Sequence, residues 1–233
     1  LFPYTTLFRS LADFGGLPYL IHLPMREEVV MEYIRSVYST IVLRDVVARN
    51  NIRNTAFLEQ LICFLADHIG SLFSSKSISD FLKSQNIRIS PSLVSEYADS
   101  LASAFVVHRL GRYDIVGKRY FECGEKYFFE NMGIRNVVAG YKPQDRAKRL
   151  ENIVCNHLLY CGYEVMEGTL STGEIDFVCT RSGETLYVQV EVELSKPETI
   201  AREFGNLLKI KDNYPKIIVS NERSFKNNYE GIE

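Results

Sequence analysis

The 233-residue chain lacks several marks that would narrow its chemistry at once. Its five cysteines (Cys63, Cys123, Cys155, Cys161 and Cys179) form no C-x-x-C pair. An odd, scattered set of this kind points to reduced thiols in a cytoplasmic protein rather than a disulfide framework or a zinc site. Its four histidines show no ligand spacing either. There is no G-x-x-x-x-G-K-[ST], so the loop that cradles nucleotide phosphates is absent. No apolar run approaches the roughly 18 residues of a membrane span, and no membrane partner is expected. Residues Phe2 to Phe14 lack the basic start and small-residue cleavage site of a signal peptide. The formal net charge of −2 offers no bulk basic footprint, so contact with nucleic acid would need a local patch.

What is present is an ordinary globular composition, with 46% hydrophobic residues in a length that suits one or two domains. The first ten residues, Leu1 to Ser10, are the translation of a string that looks like a common sequencing-library adapter. They are set aside, and the expectation is that the gene continues upstream. The far end stops at Tyr229-Glu230-Gly231-Ile232-Glu233 without a closing element, which suggests a truncated last domain.

Arg26 to Asn50 carries Tyr33, Val37, Ile41 and Leu43 to Val47 at helical spacing. A second helix is predicted from Thr55 to His68, stopping near Gly70. Ser77 is placed to cap a short helix over Ile78 to Ser84. A turn follows at Asn86-Ile87-Arg88-Ile89. Ser90, with Pro91 at the first helical position, opens another helix to Ala104. Phe105 to Tyr113 and Arg119 to Phe129 read as two strands joined by Asp114 to Lys118. Three helices and a β-wing make a winged helix, whose third helix would enter a major groove. That helix offers Ser92, Ser95, Glu96, Asp99 and Ser103 but no basic residue. The basic residues are Arg88, Arg109, Arg112, Lys118 and Arg119, around the wing. DNA contact and protein contact both remain open for it.

Asn131 to Lys148 reads as a polar connector with Gly133, Gly140 and Pro143. A helix from Leu150 to Leu159 leads into a strand from Tyr163 to Glu167. Gly173-Glu174-Ile175-Asp176-Phe177 and Leu186 to Glu193 then alternate with period two. The turn Arg181-Ser182-Gly183-Glu184 makes them a hairpin. Its pairing sets Glu174, Asp176, Gln189, Glu191 and Glu193 on one face. Ile175, Phe177, Val188, Val190 and Val192 face the core. Gathered carboxylates suit a divalent metal, which takes oxygen ligands. A helix from Thr199 to Ile210 and a strand from Lys216 to Ser220 close the pattern.

This order resembles the PD-(D/E)XK nuclease fold. Asp176 matches its Asp, and Gln189-Val190-Glu191 occupies the acid-X-Lys triplet with both functional residues replaced. The resemblance makes Asp176, Gln189 and Glu191 the degenerate catalytic candidates. It makes Glu151, Asp176 and Glu191 the candidate ligands for a possible Mg²⁺. Glu151 has a second reading, as an N-terminal charge favourable to the helix dipole. Asp176 could equally serve a sheet-end hydrogen bond, and Glu191 and Glu193 could simply repel. Lys196, Lys209 and Lys211 are candidates to replace the missing lysine.

The chain as a whole resembles a large prokaryotic family of AAA-superfamily ATPases with a C-terminal domain of unknown function. The match is carried by Gly15-Gly16-Leu17-Pro18, Leu43-Arg44-Asp45-Val46, Lys126-Tyr127-Phe128-Phe129, Gly133-Ile134-Arg135, Glu151-Asn152 and Gly162-Tyr163-Glu164-Val165. Glu174-Ile175-Asp176-Phe177, Val188-Gln189-Val190 and Asp212-Asn213-Tyr214-Pro215-Lys216 complete it. Asn131 stands where the family usually has an aspartate. The resemblance implies an upstream ATPase module holding ATP and Mg²⁺, with no ATP site in this chain. It implies an α+β fold: a helical junction over 11–56, a winged helix over 57–130 and a restriction-endonuclease-like α/β domain over 146–233. Two functions follow. One is a regulatory or interaction part of the ATPase, bound to an unidentified protein partner. The other is a metal-dependent DNA endonuclease or DNA-binding module.

Overall fold

A computed structural model of the chain describes residues 10–24, 26–121, 124–194, 197–221 and 232. Most of the adapter-like segment, Lys196 and most of the stretch beyond Ser220 lie outside the described residues. The fold is α+β. The chain separates into two compact units. The first takes the residues up to Arg109 and returns over Tyr127–Lys142; the second takes Leu110–Lys126 and everything from Pro143. The first unit therefore includes residues 11–56, which the sequence suggested as a junction. The second claims residues 110–126, which the sequence placed in the wing.

In the first unit, helix α1 (Glu27–Thr40) runs directly into a π-helical stretch over Ile41–Ala48. Helix α2 (Thr55–Asp67) begins where the Asn54 side chain accepts the Phe57 N–H at 3.0 Å. It buries Phe57, Leu58, Leu61, Ile62, Leu65 and Ala66, the inward stripe of a 3.6-residue period. Gly70, at φ +69°, sits in the left-handed conformation just beyond it. After strand β1 (Leu72–Phe73), helix α3 spans Ser75–Ser84. Its cap is Ser74, whose hydroxyl accepts the Ser77 N–H, so Ser77 lies inside the helix and not at its start. Helix α4 (Pro91–Ser103) has the expected Ser90 cap, which accepts the Leu93 N–H at 3.2 Å.

Each strand expected for the wing is broken in two. The first becomes β2 (Val107–Leu110) and β3 (Arg112–Asp114); the second becomes β4 (Arg119–Tyr120) and β5 (Glu125–Phe129). The bases of the pair, β2 and β5, form a small sheet in the order β1-β5-β2. The tip, β3 and β4, joins a different, six-stranded sheet. The next helix does not need the family's aspartate to start it, because asparagine is as good a cap. Helix α5 (Met132–Ala139) starts where Asn131 Oδ1 accepts the Ile134 N–H at 3.1 Å, and it buries Met132 through Asn136. The polar connector expected over Asn131 to Lys148 thus opens with a helix whose first half is buried. Its polar residues mark internal hydrogen bonds rather than a solvated link.

The second unit is built on the sheet β4-β3-β6-β7-β8-β9, with β6 (Glu164–Leu170), β7 (Gly173–Arg181), β8 (Glu184–Glu191) and β9 (Lys216–Ser220). Strand β3 runs parallel to β6, and β9 runs parallel to β8; the β6-β7-β8 meander is antiparallel. Ser182 and Gly183 both have positive φ, the two-residue turn that suits a twisted hairpin. Helix α6 (Arg146–Tyr160) precedes β6, and α7 (Pro197–Leu208) links β8 to β9. Phe204 and Leu207 of α7 pack with Ile175, Val178 and Tyr187 in one apolar cluster.

Candidate functional site

The regular pairing of β7 is interrupted at Asp176. On the β6 side, Met166 pairs with Val178 and Gly168 with Ile175, so Asp176 and Phe177 together oppose the single residue Glu167. That is a β-bulge, a device that turns side chains and ends pairing. It explains why Ile175 and Val178, three residues apart, share one apolar cluster. Phe177 pairs with Val188, one step out of phase with the Val178–Tyr187 pair, and faces the opposite side. The expectation that Ile175 and Phe177 point the same way is corrected by the bulge. On the β8 side the main-chain ladder runs from Arg181–Glu184 to Phe177–Val188 and stops. Past that point side chains replace it. The Asp176 N–H donates to Gln189 Oε1 at 3.3 Å, and the Val190 N–H donates to Asp176 Oδ2 at 2.7 Å.

Carboxylates collect around this opening. Glu167 has no exposed surface. Glu167 Oε1 lies 2.8 Å from Lys126 Nζ, and Oε2 lies 3.0 Å from Arg112 Nε. Glu174 meets the same two cations at 3.7 Å and 3.9 Å. Burial, with the Asp176 charge next, pushes the Glu151 carboxyl on α6 up to about 8. Burial pushes Asp176 up to about 7, against the pull of the Val190 N–H and the Lys126 ammonium. Burial also raises Glu167, with Lys126 opposing it. Lys126 itself is held above its ordinary value: burial favours the neutral amine, but the Glu167 carboxylate outweighs it, with Glu174 and Asp176 adding.

The structure therefore brings Glu151, Asp176 and Glu191 into one electrostatic neighbourhood, since Asp176 and Glu191 both raise the Glu151 carboxyl, and Glu174 shares Lys126 with Asp176. The triplet residues also make bonds of their own. Gln189 is buried and holds the β7 backbone. Glu191 Oε2 lies 3.1 Å from Arg202 Nη2, and its Oε1 accepts the Val192 N–H at 2.8 Å. Arg202 also pairs with Glu203 at 2.6 Å. Glu193 is exposed and lies past the end of β8. Lys209 donates to the Thr172 carbonyl and Asn206, and Lys211 to the Leu208 carbonyl, so the ammonium among the acids is Lys126 instead.

Residues Lys126 and Glu167 were missed in the sequence. A signal existed for both: each is a charged residue flanking a run of apolar strand residues, Lys126 before Tyr127-Phe128-Phe129 and Glu167 after Val165-Met166. Three of the five basic residues named for the wing are engaged with acids, while Arg88 and Lys118 are exposed. Arg112 turns to the acids and lies 5.3 Å from the Phe121 ring; Arg119 pairs with Asp114 at 3.2 Å and Arg109 with Asp99 at 2.6 Å.

The Mg²⁺ that a nuclease-like sheet would carry does not fit the groups as they stand. Among the described residues, no three carboxylate, histidine or cysteine groups converge to hold a metal. Glu191, one of the three candidate ligands, is held by Arg202. Among the described residues, no helix is long and apolar enough to cross a membrane.

Comparison with known proteins adds family but no chemistry. Residues 5–145 match a family model described as "Domain of unknown function (DUF8612)". A Haemophilus influenzae protein named "Uncharacterized protein" is 39% identical over 228 residues, covering 97% of this chain and 56% of its own length. An uncharacterized protein of Methanocaldococcus jannaschii is 25% identical over 190 residues, covering 78% of this chain and 41% of its own length. The chain thus spans about half the length of the curated relatives it matches. No solved structure matches it.

Proposed function

The chain belongs to the DUF8612 family, and from that premise we propose that it is the regulatory and interaction part of an ATP-binding AAA-superfamily ATPase. In this reading the second unit is a PD-(D/E)XK nuclease-like domain that does not cleave, and the first contains a winged helix that contacts protein. The observation that carries the reading is the fate of the triplet. Gln189 stands where a nuclease keeps an acid, and it hydrogen-bonds the Asp176 backbone. Glu191 stands where a nuclease keeps lysine, and it is tied to Arg202. Metal-assisted hydrolysis needs an ion to generate the nucleophile and to stabilise charge on the phosphoryl oxygens. Here those positions serve structural bonds.

The winged-helix reading rests on α2, α3 and α4 with the β1-β5-β2 sheet. Helix α4 brings no lysine or arginine to a groove, which favours a protein partner over DNA. The greater length of the curated relatives leaves room for an ATPase module, where ATP and Mg²⁺ would be held. This chain, without a phosphate loop, then has no ATP turnover.

The test is incubation of the purified chain with plasmid and short duplex DNA in Mg²⁺ or Mn²⁺. The DNA should survive. Metal-dependent cleavage by the unmodified chain, lost in Asp176→Ala, would overturn the reading in favour of an endonuclease.

A further inference from the structure

Helix α3 carries Ile78, Phe81 and Leu82 at i, i+3 and i+4, one apolar stripe. Such a stripe is ordinarily covered, yet only Leu82 is buried here, and Phe81 is 61% exposed. The helix packs chiefly on α4. Between it and α2 lies an apolar cavity of about 380 Å³, the size of a small-molecule site. Phe57, Leu61 and Phe64 of α2 line it from the other side, and Ile87, just beyond α3, lines it too. The walls are fixed by bonds of their own. The Phe57 ring lies 5.5 Å from the Tyr97 ring, and Phe64 stacks on His68 at 4.2 Å. The turn that carries Ile87 is tied back to α3: the Ile87 N–H donates to the Leu82 carbonyl at 2.9 Å, and the Ser79 hydroxyl donates to the Ile89 carbonyl at 2.5 Å. Walls held in this way spare a ligand the cost of ordering them.

The lining also states what it would accept. It includes no lysine, arginine, histidine, aspartate or glutamate; its polar members are Gln60, Ser77 and Gln85. An ionised ligand would give up hydration there with no counter-charge to offset the loss. Three phenylalanine rings offer faces and edges to another ring, and the two amides can each donate to or accept from a single polar group. None of the lining residues carries the charge that steers and registers a protein partner. We propose that this cavity binds an uncharged aromatic small molecule, held by Phe57, Phe64 and Phe81 and by an amide of Gln60 or Gln85. The inference goes beyond the proposed function and does not rest on it, because it concerns a cavity of the first unit that neither the triplet nor helix α4 forms.

The test uses the full chain, with 2-naphthol as the probe and naphthalene-2-sulfonate as the same ring carrying a charge. Equilibrium dialysis measures binding, and methyl NMR locates it. The 2-naphthol should saturate one site, shift the Ile78 and Ile87 methyl signals, and bind on the order of tenfold more tightly than the sulfonate. Gln60 and Phe81 are both exposed, so variants there should keep the fold. Gln60→Trp places a ring in the cavity, and Phe81→Ala removes a wall; each should weaken 2-naphthol binding on the order of tenfold. No saturation up to the solubility limit, equal binding of the sulfonate, or unchanged binding in both folded variants overturns the proposal. If neither variant folds, the methyl shifts of the unmodified chain decide, and shifts that avoid Ile78 and Ile87 overturn it. Sedimentation supplies the last outcome. A dimer that Phe81→Ala dissociates, in a chain that does not take up 2-naphthol, would assign the cavity to a second copy and overturn the proposal.

Discussion

Each unit buries a polar cluster, and the two are satisfied in different ways. In the first unit Arg135 is fully buried, and Asn131 and Asn136 nearly so. Arg135 Nε donates to the Ala66 carbonyl at 2.9 Å, and Asn136 Nδ2 donates to the Asp13 and Ala12 carbonyls at 2.9 Å and 3.2 Å. The partners are mainly backbone carbonyls, which would be left unpaired without them. In the second unit Glu151, Glu167 and Asp176 crowd like charges together, with Lys126 and Arg112 as the relief. A cluster whose hydrogen bonds close on the backbone holds a fold. A cluster of like charges works against the fold and is where ligand chemistry belongs.

The largest expected effect falls on the first cluster. Arg135→Met should remove the bonds to Ala66 and Gly140 and strand the Ala66 carbonyl in the core. A loss on the order of 3 kcal/mol is expected, read as a lower midpoint in urea. A change under about 1 kcal/mol would erase the distinction between the clusters.

Next come the glycines packed beside it. A Cβ on Gly133 would lie 2.1 Å from the Phe14 carbonyl oxygen, and one on Gly15, at φ +74°, 2.1 Å from Asn131 Oδ1. Gly133→Ala and Gly15→Ala should each cost about 2 kcal/mol in the same urea assay, through overpacking and, at Gly15, backbone strain.

The second cluster should respond with the opposite sign. Glu151 titrates near 8 in the fold, raised by burial, against an ordinary 4.5. Between those values the folded chain holds a proton that the unfolded chain has released. Stability is therefore greatest below the ordinary value and falls as pH rises toward about 8. Glu151→Gln should raise Tm by roughly 2–5 °C above that pH and change little in acid. Calorimetry with EDTA present checks this, and a Tm gain independent of pH would argue against a strained carboxylate.

The smallest effect is expected at the former wing. Arg119 is mostly exposed and pairs with Asp114 at the surface. Arg119→Ala should leave both the melting curve and any weak DNA retention unchanged in a gel-shift assay. A steep loss of DNA affinity would restore the wing as a DNA reader.

Elements whose cause is local were legible in the residues. Ser90 and Pro91 start α4, the Ser182-Gly183 turn makes the hairpin, and β9 spans the expected Lys216–Ser220. The sequence also singled out Asp176, as a carboxylate in a strand, and Glu151, through the nuclease-fold resemblance; the structure sets the two close enough that the Asp176 charge raises the Glu151 carboxyl. The wing was not legible, because nothing within Phe105 to Tyr113 tells a strand to change sheets at Gly111. The partner that draws it away is β6, more than fifty residues on. The buried helix α5 was hidden for a related reason: its polar residues look solvated until the carbonyls of Ala12, Asp13 and Ala66 arrive from elsewhere in the chain.

Alternation, caps and turns act over a few residues, so the helices and strands that they start and stop follow from the residues alone. The site is another matter. Two residues of β7 oppose one of β6 because of how three strands meet, and this turns Asp176 out of the ladder. Lys126 reaches Glu167 across 41 positions of sequence. Charge interactions depend on distance and burial in three dimensions, and neither is written in the spacing of residues along a chain.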